Sequence, residues 1–287
     1  MPARSSPTVK RRRLAAELRR YRDQAALTID EVAEQLEWST AKISRIENAR
    51  VSVLPRDVKF LLGVYGLSDR DQNWDVLLTL ARESRQKGWW HQHGEAVPEW
   101  FEVYVGLEAE AATISGYHAE FVPGLLQTEE YARAVHRASL IRATDDEIEQ
   151  RVRMRMARQE LLTSDDAPQV WLVLNEAVIR RPVGGRATMH GQLTRLIEAA
   201  SLPNMTLQVV PFGVGAHPAM DGSFSILSFP EPTDPNIVYF EYHTGALYLE
   251  KAIEVSRYKL MIDHLRAAAQ PVDTSRALIA RVAEELA

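Results

Sequence analysis

The sequence predicts a multidomain protein: an all-α domain of five helices, followed by an α+β domain with a helical part and a mixed sheet. The 287 residues exceed one typical domain, and two domains of this length can each bury a core. Hydrophobic residues make up 46% and charged residues 25% of the chain, as in ordinary folded proteins. The hydrophobic period is helical up to about residue 162 and then changes to that of short strands.

The amino end of the chain is strongly basic. Residues 1–22 contain eight lysines or arginines against Glu17 alone, whereas residues 91–287 contain 17 basic and 27 acidic residues. We predict that residues 1–9 form a disordered basic arm and that the arginines after it bind phosphate. The alternative is a solvated tail without a partner.

Residues 28–48 have the pattern of two short helices joined by a turn. Thr28 and Glu31 have the spacing of a capping box, in which each side chain satisfies a backbone N–H at the start of a helix. The first helix is therefore predicted over Ile29–Leu36.

The second helix of this pair is predicted from Thr40 to about Asn48, with Ser39 as its cap. The helical period turns Ile43 and Ile46 towards the core. The outward side chains are then those of Thr40, Lys42, Ser44 and Arg45. Two helices joined in this way form a helix-turn-helix.

The end of the second helix reads Ile43-Ser44-Arg45-Ile46-Glu47-Asn48-Ala49. This phrase resembles the recognition helix of the Cro/repressor class, often called the xenobiotic-response-element family, which implies binding to double-stranded DNA. Many members have Gln where Ile29 stands, and Gly where Glu37 and Ala49 stand. We expect a lost phosphate contact at Ile29 and a left-handed backbone at Glu37.

The predicted DNA contacts come from the two helix starts, the second helix and the basic segment. Arg45 and Lys42 are the expected long-reaching donors, unless Arg45 is held by Glu47 or by the backbone. The predicted DNA-binding residues are Thr28, Ser39, Thr40, Lys42, Ser44, Arg45, Arg50, Arg11, Arg12 and Arg13.

Three further helices complete the predicted amino domain, 10–86. Leu14, Leu18 and Tyr21 indicate the first helix, 58–65 the fourth, and 71–85 contains the fifth. A linker is predicted over 87–98, where glycine and proline interrupt the helical period. His91 and His93 within it have poor spacing for a metal site, and we predict no metal or cofactor.

The α+β domain is predicted over 99–287. Its residues 99–162 have a helical pattern with one interruption at Phe121–Thr128, where Pro-Gly indicates a turn. Five strands follow from the β-branched and aromatic segments 170–174, 206–210, 224–229, 237–242 and 246–249. Helices are predicted over 188–200, 249–268 and 274–286.

The segment from Glu120 to Arg133, EFVPGLLQTEEYAR, carries a second resemblance. It is similar to the signature of a domain of uncharacterised function that follows a Cro-type helix-turn-helix in many actinobacterial regulators. Shorter matches occur at 158–159, 174–176, 192–193, 207–212 and 224–227. The resemblance implies a regulatory domain and, in some members, an antitoxin-like pairing with a small companion protein.

Catalytic patterns are weak in this chain. The sequence has no phosphate-binding loop, nucleophile elbow or zinc-protease pattern, and it has no cysteine, which excludes disulfides and thiolate chemistry. The glycine-rich loop 213–222, with His217 and Asp221, is the best remaining catalytic candidate, but it equally describes a flexible loop that binds a ligand. We therefore predict no enzyme.

A tentative ligand or partner site is predicted from polar residues in apolar surroundings. These side chains either satisfy backbone groups at helix and strand ends or line a polar pocket. They are Glu120, Gln127, Asn175, Glu176 and His217. The run Arg151, Arg153, Arg155 and Arg158 is interpreted instead as a solvated helix face.

Taken together, the patterns predict a cytoplasmic, sequence-specific DNA-binding transcriptional regulator. A homodimer is expected, modulated through the carboxyl-terminal domain by a small-molecule effector or a companion protein. No membrane association is expected, because no apolar run reaches the length of a membrane helix. The alternative is an interaction module with weak or no DNA binding.

Overall fold

The computed structural model describes residues 7–86, 88–90, 98–231 and 234–287. The chain divides into two compact units, 1–91 and 92–287. The division falls within the linker predicted over 87–98. His91 and His93, whose spacing was judged unsuitable for a metal, lie outside the described residues.

The amino-terminal unit contains the five predicted helices. They are α1 (Pro7–Gln24), α2 (Ile29–Leu36), α3 (Thr40–Glu47), α4 (Pro55–Val64) and α5 (Trp74–Glu83). Leu18, Ile43 and Leu61 are fully buried where α1, α3 and α4 meet in one core. The helical period therefore predicted the buried faces correctly.

Helix α1 begins earlier than the sequence suggested. The disordered arm was predicted over 1–9, but Pro7 occupies the first position of α1, where a missing N–H costs no hydrogen bond. Val9 is buried. Residues 7–9 are thus helical, and only 1–6, which lie outside the described residues, retain the original expectation.

A buried ion pair connects α1 to the end of α3. Arg22 Nε donates to Glu47 Oε1 at 2.8 Å and Nη2 donates to Oε2 at 3.0 Å. Tyr65, which caps α4, donates from its hydroxyl to Glu47 Oε1 at 3.4 Å. Glu47 is therefore engaged by α1 and α4, which removes it as the predicted alternative partner of Arg45.

The carboxyl-terminal unit combines seven helices with six strands in the described residues. The helices are α6 (Glu99–Glu110), α7 (Glu129–Ser139), α8 (Asp145–Gln159), α9 (Glu176–Arg180), α10 (Arg186–Ala199), α11 (Ala252–Ala268) and α12 (Val272–Leu286). The strands are β1 (Thr113–His118), β2 (Gln169–Asn175), β3 (Met205–Val210), β4 (Phe224–Ser228), β5 (Ile237–Tyr242) and β6 (Gly245–Leu249).

The six strands form one mixed sheet in the order β3-β2-β1-β4-β5-β6. Strands β1, β2 and β3 are parallel, and β4, β5 and β6 add antiparallel neighbours. The mixed sheet was predicted, and so were five of its strands. Helix α10 connects the parallel pair β2 and β3, as expected of a βαβ unit.

Strand β1 contradicts the helical pattern predicted over 99–162. It lies in the middle of the sheet, between β2 and β4. Gly116 of β1 allows β4 to pack closely against it. A Cβ at position 116 would lie 3.2 Å from Phe224 O and 3.3 Å from Ser225 Oγ, both in β4. A short strand with a central glycine lacks the alternation that indicates a strand, which explains why it was missed.

The two faces of the sheet have different neighbours. Tyr117, Val173 and Ile226 pack with Val255 and Ile262 of α11 in one core cluster. The alternate residues face the other way. On that second face, Tyr239 stacks on Tyr104 of α6, with ring centroids 4.0 Å apart. No described helix has the length and apolarity of a membrane span.

Candidate functional sites

The starts of α2 and α3 are fixed by their caps. Thr28 Oγ1 accepts from Glu31 N at 3.2 Å, and Glu31 Oε2 accepts from Thr28 N at 2.7 Å, which confirms the capping box. These bonds lower the pKa of the Glu31 carboxyl. Ser39 Oγ accepts from Lys42 N at 3.2 Å. Both hydroxyls predicted to bind DNA therefore hold a helix start.

The turns around α3 have unusual backbone conformations. Glu37 has φ 53° and ψ 37°, the left-handed conformation expected from the resemblance, in which many members have Gly at this position. Ala49, after α3, also has a positive φ of 54°. Both positions would suit glycine better. The chain therefore keeps the helix-turn-helix backbone at a conformational cost.

The outward face of α3 carries three of the predicted DNA-binding residues. Thr40 and Arg45 are exposed, and Ser44 is half-buried. Within the described residues, Arg45 makes no side-chain hydrogen bond or ion pair. Asn48 Nδ2 donates to Ser44 O at 2.8 Å and to Ser44 Oγ at 3.3 Å, which partly occupies that hydroxyl.

Lys42 is held by neighbouring side chains. Its Nζ lies 3.2 Å from Asp57 Oδ2 of α4 and 3.2 Å from the centroid of the Trp38 ring. The side chain is 35% exposed. Arg45 is therefore the long donor of α3 that points away from the protein, whereas Lys42 would have to leave Asp57 to reach a phosphate.

The remaining basic candidates precede and follow α3 in the sequence. Arg11, Arg12 and Arg13 are half-buried residues of α1, and Arg50 is exposed just after α3. Lys10 pairs with Glu83 of α5 at 2.8 Å. The basic segment is thus part of a packed helix rather than a loose tail from Pro7 onwards.

Three of the predicted ligand residues satisfy backbone groups. Gln127 Nε2 donates to Val122 O at 2.6 Å. Asn175 Oδ1 caps α9 by accepting from Ala177 N at 2.9 Å, and Glu176 Oε2 accepts from Phe212 N at 2.8 Å. These contacts fit the first of the two readings, in which polar groups complete helix and strand ends.

Glu120 and His217, the other two candidates, lie in different surroundings. Glu120 Oε2 accepts from Arg181 Nη1 at 2.5 Å on the surface. His217 Nε2 lies 3.1 Å from the hydroxyl of Tyr117, which also accepts from Asn175 Nδ2 at 3.1 Å. His217 and Asn175 are therefore brought together by Tyr117, while Asp221 of the same loop is exposed.

The arginine run on α8 is not the solvated face that was predicted. Arg153 is exposed, but Arg158 is buried and forms a two-pronged pair with Glu108 of α6 at 2.7 and 2.8 Å. Arg151 and Arg155 are half-buried. The spacing 151, 155 and 158 places these three arginines on one side of the helix. Because arginines also occupy every second position from 151 to 155, this helical spacing was overlooked in the sequence.

A cavity lies against this inward side of α8. Its larger part has a volume of about 520 Å³ and reaches Arg155, Tyr104 and Tyr239. An adjoining part of about 460 Å³ reaches Arg151 and His136. Sequence reasoning placed none of these residues in a site.

No group of three histidine or acidic side chains with the geometry of a metal site occurs among the residues that the structure describes. Residues 13–73 match a family model described as "Helix-turn-helix domain". Residues 101–281 match one described as "Domain of unknown function (DUF5753)". No curated protein and no solved structure matches the chain. Since the second match spans more than half of the sequence, the protein belongs to the DUF5753 family, with a helix-turn-helix domain at its amino end.

Proposed function

We propose that this protein is a sequence-specific DNA-binding transcriptional regulator whose carboxyl-terminal unit modulates DNA binding. The observation that carries the proposal is the outward face of α3. Arg45 and Thr40 are exposed there, and Arg45 has no competing partner among the described residues. An arginine free in this position has the donor geometry to read a guanine edge in the major groove.

The rest of the unit supports insertion of α3 as a rigid element. Ser39 caps the start of α3, and the buried Glu47 at its end is held by Arg22. Because α3 is already ordered, it would present Arg45 to the bases without the entropic cost of ordering its backbone on binding. Arg50 and the arginines of α1 are suited to phosphates, which carry affinity rather than sequence information.

The carboxyl-terminal unit is the proposed sensing and assembly domain. One helix-turn-helix makes few base contacts, and two copies on adjacent half-sites, about 34 Å apart, are the usual remedy. A homodimer formed through residues 92–287 would supply this geometry. A small-molecule effector or a small companion protein bound there would change DNA affinity through the dimer.

The alternative function is an interaction module with weak or no DNA binding. Lys42 favours it, because its ion pair with Asp57 and its contact with Trp38 withdraw a cation from the recognition face. Ile29 favours it as well, since a branched apolar side chain cannot make the phosphate contact of a glutamine. A companion protein would then be the main partner.

A binding assay on DNA from upstream of the protein's own gene separates the two functions. We expect Arg45→Ala to weaken binding by about 1 to 3 kcal/mol and to relax the preference at one base position. Arg82→Ala is the matched control, because Arg82 is exposed on α5, which packs on α1 and α4. Titrations at two salt concentrations separate phosphate contacts from base contacts.

The competing outcomes of this assay are distinct. Equal losses from Arg45→Ala on every duplex would reassign Arg45 to a phosphate. Binding that is equally weak on all sequences, and unchanged by Arg45→Ala, would remove the regulator proposal and leave the interaction module.

A further inference from the structure

The cavity beside α8 has the size of a small-molecule site. Its two parts, of about 520 and 460 Å³, share lining residues that include Phe101, Phe121, Arg155 and Arg158, and we call the two parts together the groove. Ligand sites generally have volumes of roughly 300 to 1,000 Å³. The lining residues that the structure describes all belong to the carboxyl-terminal unit.

Arg155 lines both parts of the groove. Its Nη1 donates to Gln127 Oε1 at 2.6 Å, and among the described residues no carboxylate pairs with it. Burial, reinforced by the neighbouring Arg158, lowers the pKa of the guanidinium to about 10. The charges of Glu241 and Glu108 oppose this shift without forming an ion pair with Arg155. A half-buried guanidinium without a hydrogen-bonded carboxylate is costly, and a bound anion would relieve that cost.

Arg158, three residues after Arg155, differs from it in having a carboxylate partner. It lines the same cavity, but Glu108 neutralises it through two short hydrogen bonds. It also lies 4.9 Å from the centroid of the Phe101 ring. Arg158 is therefore a fixed part of the wall, whereas Arg155 keeps donors free to face the cavity.

His136 of α7 lines the smaller part of the groove, near Arg151 and Arg155. The residue is 8% exposed, and its Nε2 is buried without a hydrogen-bond partner in the described chain. Burial, together with the charges of Arg155, Arg151 and Arg158, lowers the pKa of the imidazole to about 3. The ring is thus neutral in a positive environment, with one polar nitrogen unused.

The walls around these polar groups are aromatic. Phe101 stacks on Tyr104 with centroids 5.6 Å apart, and Tyr104 stacks on Tyr239. Phe121 lines both parts of the groove and is 43% exposed, although it is a large apolar side chain. Such a surface stabilises an apolar, ring-sized group by burial and stacking.

The acidic residues of the cavity do not cancel the charge of Arg155. Glu108 is taken by Arg158 and Glu120 by Arg181. Glu241 accepts from the hydroxyl of Tyr239 at 3.0 Å and is exposed, as is Asp221. Solvent therefore screens the carboxylates more than it screens the half-buried arginines.

We propose that this groove binds a small organic anion: a carboxylate, sulfonate or phosphate on an apolar, ring-sized body. Arg155 binds the anionic group, with Arg151 and His136 beside it, and Phe101 and Phe121 contact the body. The effect of this ligand on DNA rests on the function proposed above. Ligand binding itself does not, because it involves the carboxyl-terminal unit alone.

The test is calorimetric titration of the full chain with 2-naphthoate and with its uncharged analogue 2-naphthamide, in the absence of DNA. We expect 2-naphthoate to bind about tenfold more tightly or better, since hydrogen bonds to a charged acceptor are stronger than those to a neutral one. Arg155→Gln should abolish that preference. Arg153→Gln, which removes the same charge from the exposed side of α8, should keep it.

A second variant covers the case in which Arg155→Gln does not fold, as judged by circular dichroism. Arg151→Gln, one helical turn before Arg155 and also lining the smaller part, should reduce the preference for 2-naphthoate. Failure of wild-type protein to bind 2-naphthoate more tightly than 2-naphthamide would overturn the proposal. Equal effects of Arg155→Gln and Arg153→Gln would overturn it too.

Titration of the wild-type protein onto DNA, with and without 2-naphthoate, distinguishes failure of one proposal from failure of the other. Absence of DNA binding in both conditions, with intact 2-naphthoate binding, would reject the regulator and leave the anion site. Sequence-specific DNA binding without preference for 2-naphthoate would reject the anion site and leave the regulator.

Discussion

Lys42 Nζ lies 3.2 Å from Asp57 Oδ2, so that the recognition helix is tied through its own cation to α4. The same ammonium also lies 3.2 Å from the centroid of the Trp38 ring. Two contacts within the unit therefore compete with DNA for one of the two long donors on α3. If α3 binds DNA as proposed, these contacts lower the affinity of Lys42 for phosphate.

Asp57→Asn is predicted to strengthen DNA binding. The change removes the charge that holds Lys42, and a partly exposed ion pair of this kind contributes up to about 1 kcal/mol, or roughly fivefold in affinity. The gain should appear on every duplex, because a released lysine binds phosphate rather than a base. Fluorescence anisotropy with specific and unrelated duplexes measures it.

The control for this prediction is a double-mutant cycle. In the Lys42→Ala background, Asp57→Asn should give a smaller gain, since only the exposed Arg56, 3.5 Å from Asp57 Oδ1, remains to be released. An equal gain in both backgrounds would mean that Asp57 acts by repelling DNA or by holding Arg56, and not through Lys42.

Glu47→Leu is predicted to destabilise the amino-terminal unit by about 3 kcal/mol, because it leaves the buried Arg22 with the exposed Asp23 as its remaining carboxylate partner. The side chains of Arg22 and Glu47 are 11% and 4% exposed, so little water replaces the lost partner. Hydrogen exchange of peptides from α3, followed by mass spectrometry, measures the loss within this unit. Glu17→Gln, which breaks the more exposed pair with Arg20, should cost little.

Much of the fold was predictable because local patterns agree with tertiary packing. The five amino-terminal helices follow from the apolar period, whereas the left-handed turn at Glu37 was expected from the resemblance, in which many members have Gly there. Strand β1 was not predictable in this way. It is central because β2 and β4 pair with it, and these partners are distant in sequence.

The cavity beside α8 was hidden for a similar reason. Arg158 is fixed in the wall of the cavity by its ion pair with Glu108, which lies fifty positions away. The local sequence does not predict that pair. The caps at Thr28 and Ser39 were predictable, since their partners lie three residues away. Partners close in sequence could be inferred, whereas partners supplied by the topology could not.

The carboxyl-terminal unit is predicted to lose stability as the pH falls from about 6.5 towards 4. Burial lowers the pKa of His118 to about 4 and that of His136 to about 3, below the ordinary value of 6.5. Above pH 6.5 both histidines are neutral whether the chain is folded or unfolded. Below it the unfolded chain binds protons that the folded chain excludes, so stability falls by up to about 1.4 kcal/mol per pH unit for each histidine.

Hydrogen exchange of the carboxyl-terminal peptides at several pH values measures this slope. His136→Gln should make the slope shallower between pH 6.5 and 4. His264→Gln, on the exposed side of α11, is the matched control. A slope unchanged by His136→Gln would mean that acid opens the unit through its carboxylates instead.

The final prediction concerns the separation of DNA reading from assembly. Residues 1–91 contain their own core of Leu18, Ile43 and Leu61, so a fragment of this length should fold alone. A folded fragment keeps Arg45 and hence the base preference of one half-site. It loses the second recognition helix that a dimer would place on the adjacent half-site.

The fragment should therefore bind a two-half-site duplex at least tenfold more weakly than the full chain, because the second contact is no longer intramolecular. It should bind a single half-site about equally well. Light scattering after gel filtration should give a dimer for the full chain and a monomer for the fragment. If the two bind the double site with the same affinity, residues 92–287 do not hold two recognition helices together, and any control they exert must act on one helix-turn-helix at a time.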